Sequence, residues 1–125
     1  MPTETKRKTL ALISHDGKKA DMVAFVMDHR ARLRDFELVA TQTTGTLIQE
    51  KTGLDVRCML SGPYGGDAQI AAQVAEGRVN AVFFFLDPLG KHPHDPDIQG
   101  LLRICNVHNV PLATNIATAV LLINA

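Results

Sequence analysis

The chain has 125 residues, 46% of them hydrophobic, and its 13 Lys+Arg balance its 13 Asp+Glu. That length fits one domain able to bury roughly two thirds of its unfolded surface, and the composition excludes a disordered chain. Zero net charge provides no overall basic field for nucleic acid, and the longest apolar run, Ala81 to Leu86, is far short of the ~20 residues a bilayer crossing needs. The cluster Lys6-Arg7-Lys8 reads as a solvated N-terminus, and Thr9 to Ile13 is too short for a signal-peptide core, so the expected location is the cytoplasm. Cys58 and Cys105 sit among apolar neighbours without a CxxC spacing and read as free core thiols.

Along the chain, Thr9 to Ile13 predicts a buried strand, and Lys19 to Arg32 a helix with its apolar stripe on Met22, Val23, Phe25, Val26 and Met27. Glu37 to Ala40 predicts a second strand, Thr46 to Lys51 a short helix capped by Gly53, and Asp55 to Leu60 a third strand. Asp67 to Glu76 predicts a helix ended by Gly77, and Val79 to Leu86 is the most strand-like segment and should be central. Ile98 to His108 predicts a helix, Val110 to Ala113 a last short strand, and Asn115 to Ile123 a closing helix with Thr114 or Asn115 as N-cap. Five βα units imply a single-domain, three-layer α/β/α sandwich around a five-stranded, mainly parallel sheet, Rossmann-like in architecture. There is no repeat, linker or room for a second domain.

Four polar segments follow apolar runs, and in an open α/β sheet such loops gather at the carboxyl ends of the strands. In the first, His15 and Asp16 end a strand and Lys19 lies at a helix start, where an anion is favoured; Asp16 as N-cap and Lys19 as surface charge is the alternative. In the second, Thr41, Thr43, Thr44 and Gly45 form either a phosphate cradle or plain threonine capping. The third, Ser61 to Asp67, brings glycines that permit close backbone approach and a carboxylate at a helix start, either an N-cap or a general base. The fourth holds Asp87, Lys91, His92, His94, Asp95 and Asp97, stiffened by Pro93 and Pro96. A metal site, a rigid surface loop, and one histidine with one carboxylate in fixed positions are all readings of it. GxxxxGK[ST], GxGxxG and GxSxG are absent. His29 and His108 read as ordinary helix residues.

In order and spacing, these segments resemble the methylglyoxal synthase family: Ser14-His15-Asp16 with Lys19, Ala40 to Gly45, Leu60 to Asp67, Phe85 to Pro88, Pro93 to Asp97, and Val110 to Asn115. The resemblance runs from about Lys8 to the end. It implies conversion of dihydroxyacetone phosphate to methylglyoxal and inorganic phosphate, with no metal or organic cofactor and no nucleic-acid or membrane partner. It casts Asp67 as the catalytic base, with His94, Asp97 and His15 as its catalytic partners. His15, Lys19, Thr41, Gln42, Thr43, Thr44, Ser61, Gly62 and His94 are cast as substrate-binding. A homohexamer inhibited cooperatively by phosphate is also implied.

Residue chemistry alone leaves an isomerase open, because the same enediolate would serve one. A phosphometabolite-sensing module without catalysis, as the same fold forms in carbamoyl phosphate synthetase, is the rival from another class, and a loop scaffold is the third. Two departures stand out. Gln42 occupies a position where the family pattern expects glycine, which would cost strain if that position has positive φ. The sequence also stops at Ala125, short of the C-terminal tail of longer members, so no tail residue or tail-borne regulation is carried over.

Overall fold

The fold is taken from a computed structural model that describes residues 7–90 and 95–125, the side chains of 95–97 excepted. Strand β1 (Thr9–Ser14) is buried along its whole length. Leu10 and Leu12 pack with Met22, Phe25, Ile48, Phe83 and Phe85 on one face, while Ala11 and Ile13 pack with Ile70, Val74, Phe84 and Leu101 on the other. An apolar strand buried on both faces is what the centre of a parallel sheet requires. Around it lie β2 (Glu37–Thr41), β3 (Arg57–Met59), β4 (Ala81–Phe85) and β5 (Leu112–Ala113), in the order β3-β2-β1-β4-β5. Every pairing is parallel, with Leu10 opposite both Leu38 and Ala81.

The helices are α1 (Lys19–Asp28), α2 (Arg30–Leu33), α3 (Gln42–Thr52), α4 (Gly66–Ala75), α5 (Asp95–Val107) and α6 (Ile116–Ile123). α1, α2, α3 and α6 cover the first face, and α4 and α5 the second, completing the three layers. Phe25 of α1 meets Phe83 and Phe85 edge-on at 5.7 Å each, a geometry that fixes α1 against β4. Both cysteines are free, and burial pushes the Cys105 thiol from 9.0 up to about 11, the behaviour of an inert core group. No helix among the described residues is long and apolar enough to cross a membrane.

Three element boundaries differ from the sequence expectation in ways that matter. The helix expected over Lys19 to Arg32 breaks at His29 (φ −121°, ψ 24°), whose ring Nδ1 lies 2.9 Å from the Phe25 carbonyl oxygen and competes for the helical acceptor. α3 begins at Gln42 rather than Thr46, so the threonine segment is the first turn of a helix and not a loop. Gln42 does not have positive φ, because its backbone is that of a first helical residue, and it carries no strain there. α5 likewise starts at Asp95, ahead of the expected Ile98. Gly53 (φ 74°) closes α3, and Asn115 caps α6 by accepting from the Thr118 amide at 2.9 Å, both as expected.

Candidate active site

The chain runs outward from β1 through β2 to β3, then returns to β4 on the other side of β1. In an open α/β sheet, ligands bind beyond the carboxyl ends of the strands where strand order reverses. A pocket of about 310 Å³ occupies that place, lined by Ser14, His15, Asp16, Gly17, Lys19, Thr41, Thr43, Ser61, Gly62, Pro63, Asp67, Phe84, Asp87 and Gly90, with Ile13 beneath.

The segment after β3 is the most tightly determined wall. Gly62–Tyr64 forms a single 3₁₀ turn, Gly65 takes φ 98°, and the Gly66 amide returns to the Ser61 carbonyl at 3.0 Å. Gly65 supplies a left-handed backbone that other residues rarely adopt. Gly66 is needed for space instead, since a Cβ there would overlap the Leu60 carbonyl oxygen. Gln69, one turn into α4, accepts from the Leu60 amide at 2.8 Å and ties the strand end to the helix. Asp67 is thereby placed in the first turn of α4 with only 1% of its surface exposed, yet on the pocket wall. A carboxylate at a helix N-terminus is favoured by the backbone dipoles, while burial opposes its charge.

The opposite wall carries a lysine paired with a carboxylate. Lys19 opens α1 and holds its ammonium by donating to the Ser14 carbonyl at 3.0 Å and pairing with Asp16 at 2.9 Å. Its side chain is only 17% exposed, so the charge is directed rather than solvated. An ammonium has three donors, which leaves capacity for an anion in the pocket. His15 is fixed on three sides: its amide donates to the Phe85 carbonyl at 3.2 Å, its Nδ1 accepts from the Asp87 amide at 2.8 Å, and its ring stands edge-on to Phe84 at 5.2 Å.

The threonines divide. Thr41 and Thr43 line the pocket, whereas Thr44 is buried beneath it, its hydroxyl 3.0 Å from that of Ser14. Gln42 is exposed and its amide donates to Thr46 at 3.3 Å, along the outer side of α3 and off the pocket lining. Of the residues singled out from sequence, His15, Lys19, Thr41, Thr43, Ser61, Gly62 and Asp67 thus come together; Gln42 and Thr44 do not reach the lining. His94 and the Asp97 side chain lie outside the described residues, as do His92 and the Asp95 side chain of the alternative metal reading. Among the described residues, no three His, Cys, Asp or Glu side chains gather as a metal cage would require.

The sequence places Asp87 in the fourth polar segment but does not assign it to the site. An aspartate just beyond β4, a strand next to the reversal of sheet order, is the available signal.

Fold and pocket define a Rossmann-like α/β domain with a ligand crevice at its topological switch point. The family model for the MGS-like domain matches residues 21–114, and the chain belongs to this family. The methylglyoxal synthase of Ralstonia nicotianae is 58% identical over 114 residues, 91% of this chain and 84% of that one. A methylglyoxal synthase of Thermus thermophilus is 60% identical over 116 residues, 93% and 92% of the two chains. The crystal structure of methylglyoxal synthase from Elizabethkingia anophelis NUHP1 superposes with a TM-score of 0.91 at 43% identity, covering 95% of this chain and 78% of that one.

Proposed function

We propose that this chain is a methylglyoxal synthase, a lyase that converts dihydroxyacetone phosphate to methylglyoxal and inorganic phosphate, and that residues 1–125 form one such catalytic domain. The observation that carries the reading is Asp67, a buried carboxylate held by glycine geometry on a pocket whose other wall is Lys19 and hydroxyls.

In this reading Asp67 removes a proton from the hydroxymethyl carbon next to the carbonyl. Charge develops on the carbonyl oxygen as the enediolate forms, and the His15 imidazole donates a hydrogen bond there. A proton then passes from the terminal hydroxyl to the former carbonyl oxygen, which moves the charge to the terminal oxygen. From there the electron pair closes an aldehyde carbonyl, the double bond shifts toward the phosphate-bearing carbon, and the carbon–oxygen bond to the phosphoryl group breaks with its electron pair leaving on phosphate. The resulting enol takes up a proton at carbon and becomes methylglyoxal. Lys19, Thr41, Thr43, Ser61 and the Gly62 backbone hold the phosphoryl group and stabilise it as it departs. Thr44 acts from beneath by fixing Ser14, whose carbonyl anchors Lys19. Resemblance assigns His94 and Asp97 to orienting the substrate and handling its carbonyl and hydroxyl protons. Gln42 has no part in binding on this geometry.

We also propose a cytoplasmic homo-oligomer, hexameric by resemblance and open to inhibition by product phosphate.

The test is a metal-free assay of purified protein on dihydroxyacetone phosphate that follows methylglyoxal and free phosphate together. Equal release of both is the expected result. Glyceraldehyde 3-phosphate without phosphate release means an isomerase, and binding without turnover means a sensor.

A further inference from the structure

We propose that the loop after β4 is a tautomer lock: the Asp87 backbone amide holds His15 as the neutral ring with its hydrogen on Nε2, and Asp87 is a positioning residue for that amide. The inference deepens the catalytic reading above and rests on it.

A backbone amide can only donate. Its approach to His15 Nδ1 at 2.8 Å therefore requires a lone pair there, and the ring hydrogen belongs on Nε2. The lock has something to oppose. Asp16, Asp67 and Asp87 line the same pocket and favour a charged ring, with Lys19 against them. Protonating Nδ1 would set one N–H against another. A ring kept neutral offers the substrate oxygen a hydrogen bond from Nε2 without giving up its proton.

The amide is in turn held by the side chain of its own residue. Asp87 Oδ1 accepts from the Leu89 amide at 3.1 Å, and the Gly90 amide returns to the Asp87 carbonyl at 3.3 Å. The other carboxylate oxygen fills the space where Gly17 and Gly90 lack side chains; a Cβ on either would overlap it, at 2.7 Å for Gly90. Neither glycine has positive φ, so close packing against Asp87, and not backbone freedom, is the physical reason for glycine there. The two loops of the switch point thus interlock around one carboxylate and deliver a donor to one nitrogen.

The test is nitrogen-15 NMR of histidine-labelled full-length protein in phosphate-free buffer at pH 7, with the His15 ring identified by its loss in His15→Gln. The expected pattern has a bare Nδ1 and a protonated Nε2. A proton on Nδ1, or on both nitrogens, overturns the proposal. In Gly90→Ala the added methyl displaces Asp87; His15 is expected to show both tautomers, and kcat to fall by up to about 100-fold with KM little changed. If His15 stays wholly Nε2–H in that variant, the loop does not set the tautomer. Should the variant fail to fold, the wild-type spectrum still decides. Methylglyoxal formation is scored separately: turnover with the wrong tautomer refutes the lock alone, and the right tautomer without turnover refutes the function alone.

Discussion

A cavity at the amino end of the sheet is twice the size of the switch-point pocket at the carboxyl end, yet it is the less informative of the pair. At the amino end, an open cavity of about 620 Å³ lies between Arg7, Thr9, Leu33, Arg34, Phe36, Glu37, Leu38 and the Gly53–Arg57 segment. Its floor is aliphatic, and its rim charges, Arg7, Arg34, Glu37, Asp55 and Arg57, are all exposed. The carboxyl-end pocket is half that size but holds a buried carboxylate, a directed ammonium and a histidine fixed by the backbone. Space at a strand end is a by-product of loops diverging. Chemistry requires reactive groups that are buried and held by neighbours, as the carboxylate, ammonium and histidine of the carboxyl end are.

The most damaging test of this contrast is Asp67→Asn. It keeps size and helix position and removes the base, so kcat should fall by about 10² to 10⁴ while phosphate affinity is retained, as read by steady-state kinetics and calorimetric titration. Near-normal kcat would strip the carboxyl end of its main distinction. Gly66→Ala comes next. The new methyl collides with the Leu60 carbonyl, so the loop must shift, with an expected loss of about 1–3 kcal/mol in denaturant unfolding and up to about 100-fold in kcat from misplacing Asp67. Unchanged stability would mean that the close approach of Leu60 to Gly66 is dispensable. Lys19→Ala removes a charge-assisted contact worth about 1.5–3 kcal/mol, so phosphate should bind about ten- to a hundredfold more weakly in the same titration. Unaltered affinity would take Lys19 out of the phosphate cradle.

These residues are legible in the sequence to different degrees, for physical reasons. Thr9 to Ile13 and Val79 to Leu86 identify themselves because a parallel strand buried on both faces must be apolar throughout. Gly53 is readable because a helix end that turns left-handed favours glycine. The α3 start is hidden: Thr41, Thr43 and Thr44 have high β-propensity, and tertiary contacts such as Ser14 to Thr44 override it. Gln42, where glycine is expected, then proves to be an ordinary first helical residue whose side chain reaches Thr46 and is absent from the pocket lining. The service of Asp87 to His15 crosses 72 positions and uses a backbone amide, which no residue type advertises. Asp67 stands out because its flanking glycines and its helix-start position are local signals.

The smallest expected effect is the one that most sharpens the contrast. Arg34 sits at the amino-end cavity with its side chain exposed, and its carbonyl accepts from the Arg7 guanidinium at 3.1 Å. Replacing it with alanine leaves that carbonyl in place and removes one solvated charge. An exposed charge of this kind contributes within about 0.5 kcal/mol to stability, since water already satisfies it. Arg34→Ala should therefore leave thermal midpoint, KM and kcat near wild type, although it alters the larger of the two cavities. A change in KM or in phosphate inhibition would show that the amino end communicates with the active site through β1 and β2. Both strands run from one cavity to the other, and a close-packed interior is the medium through which strain would travel.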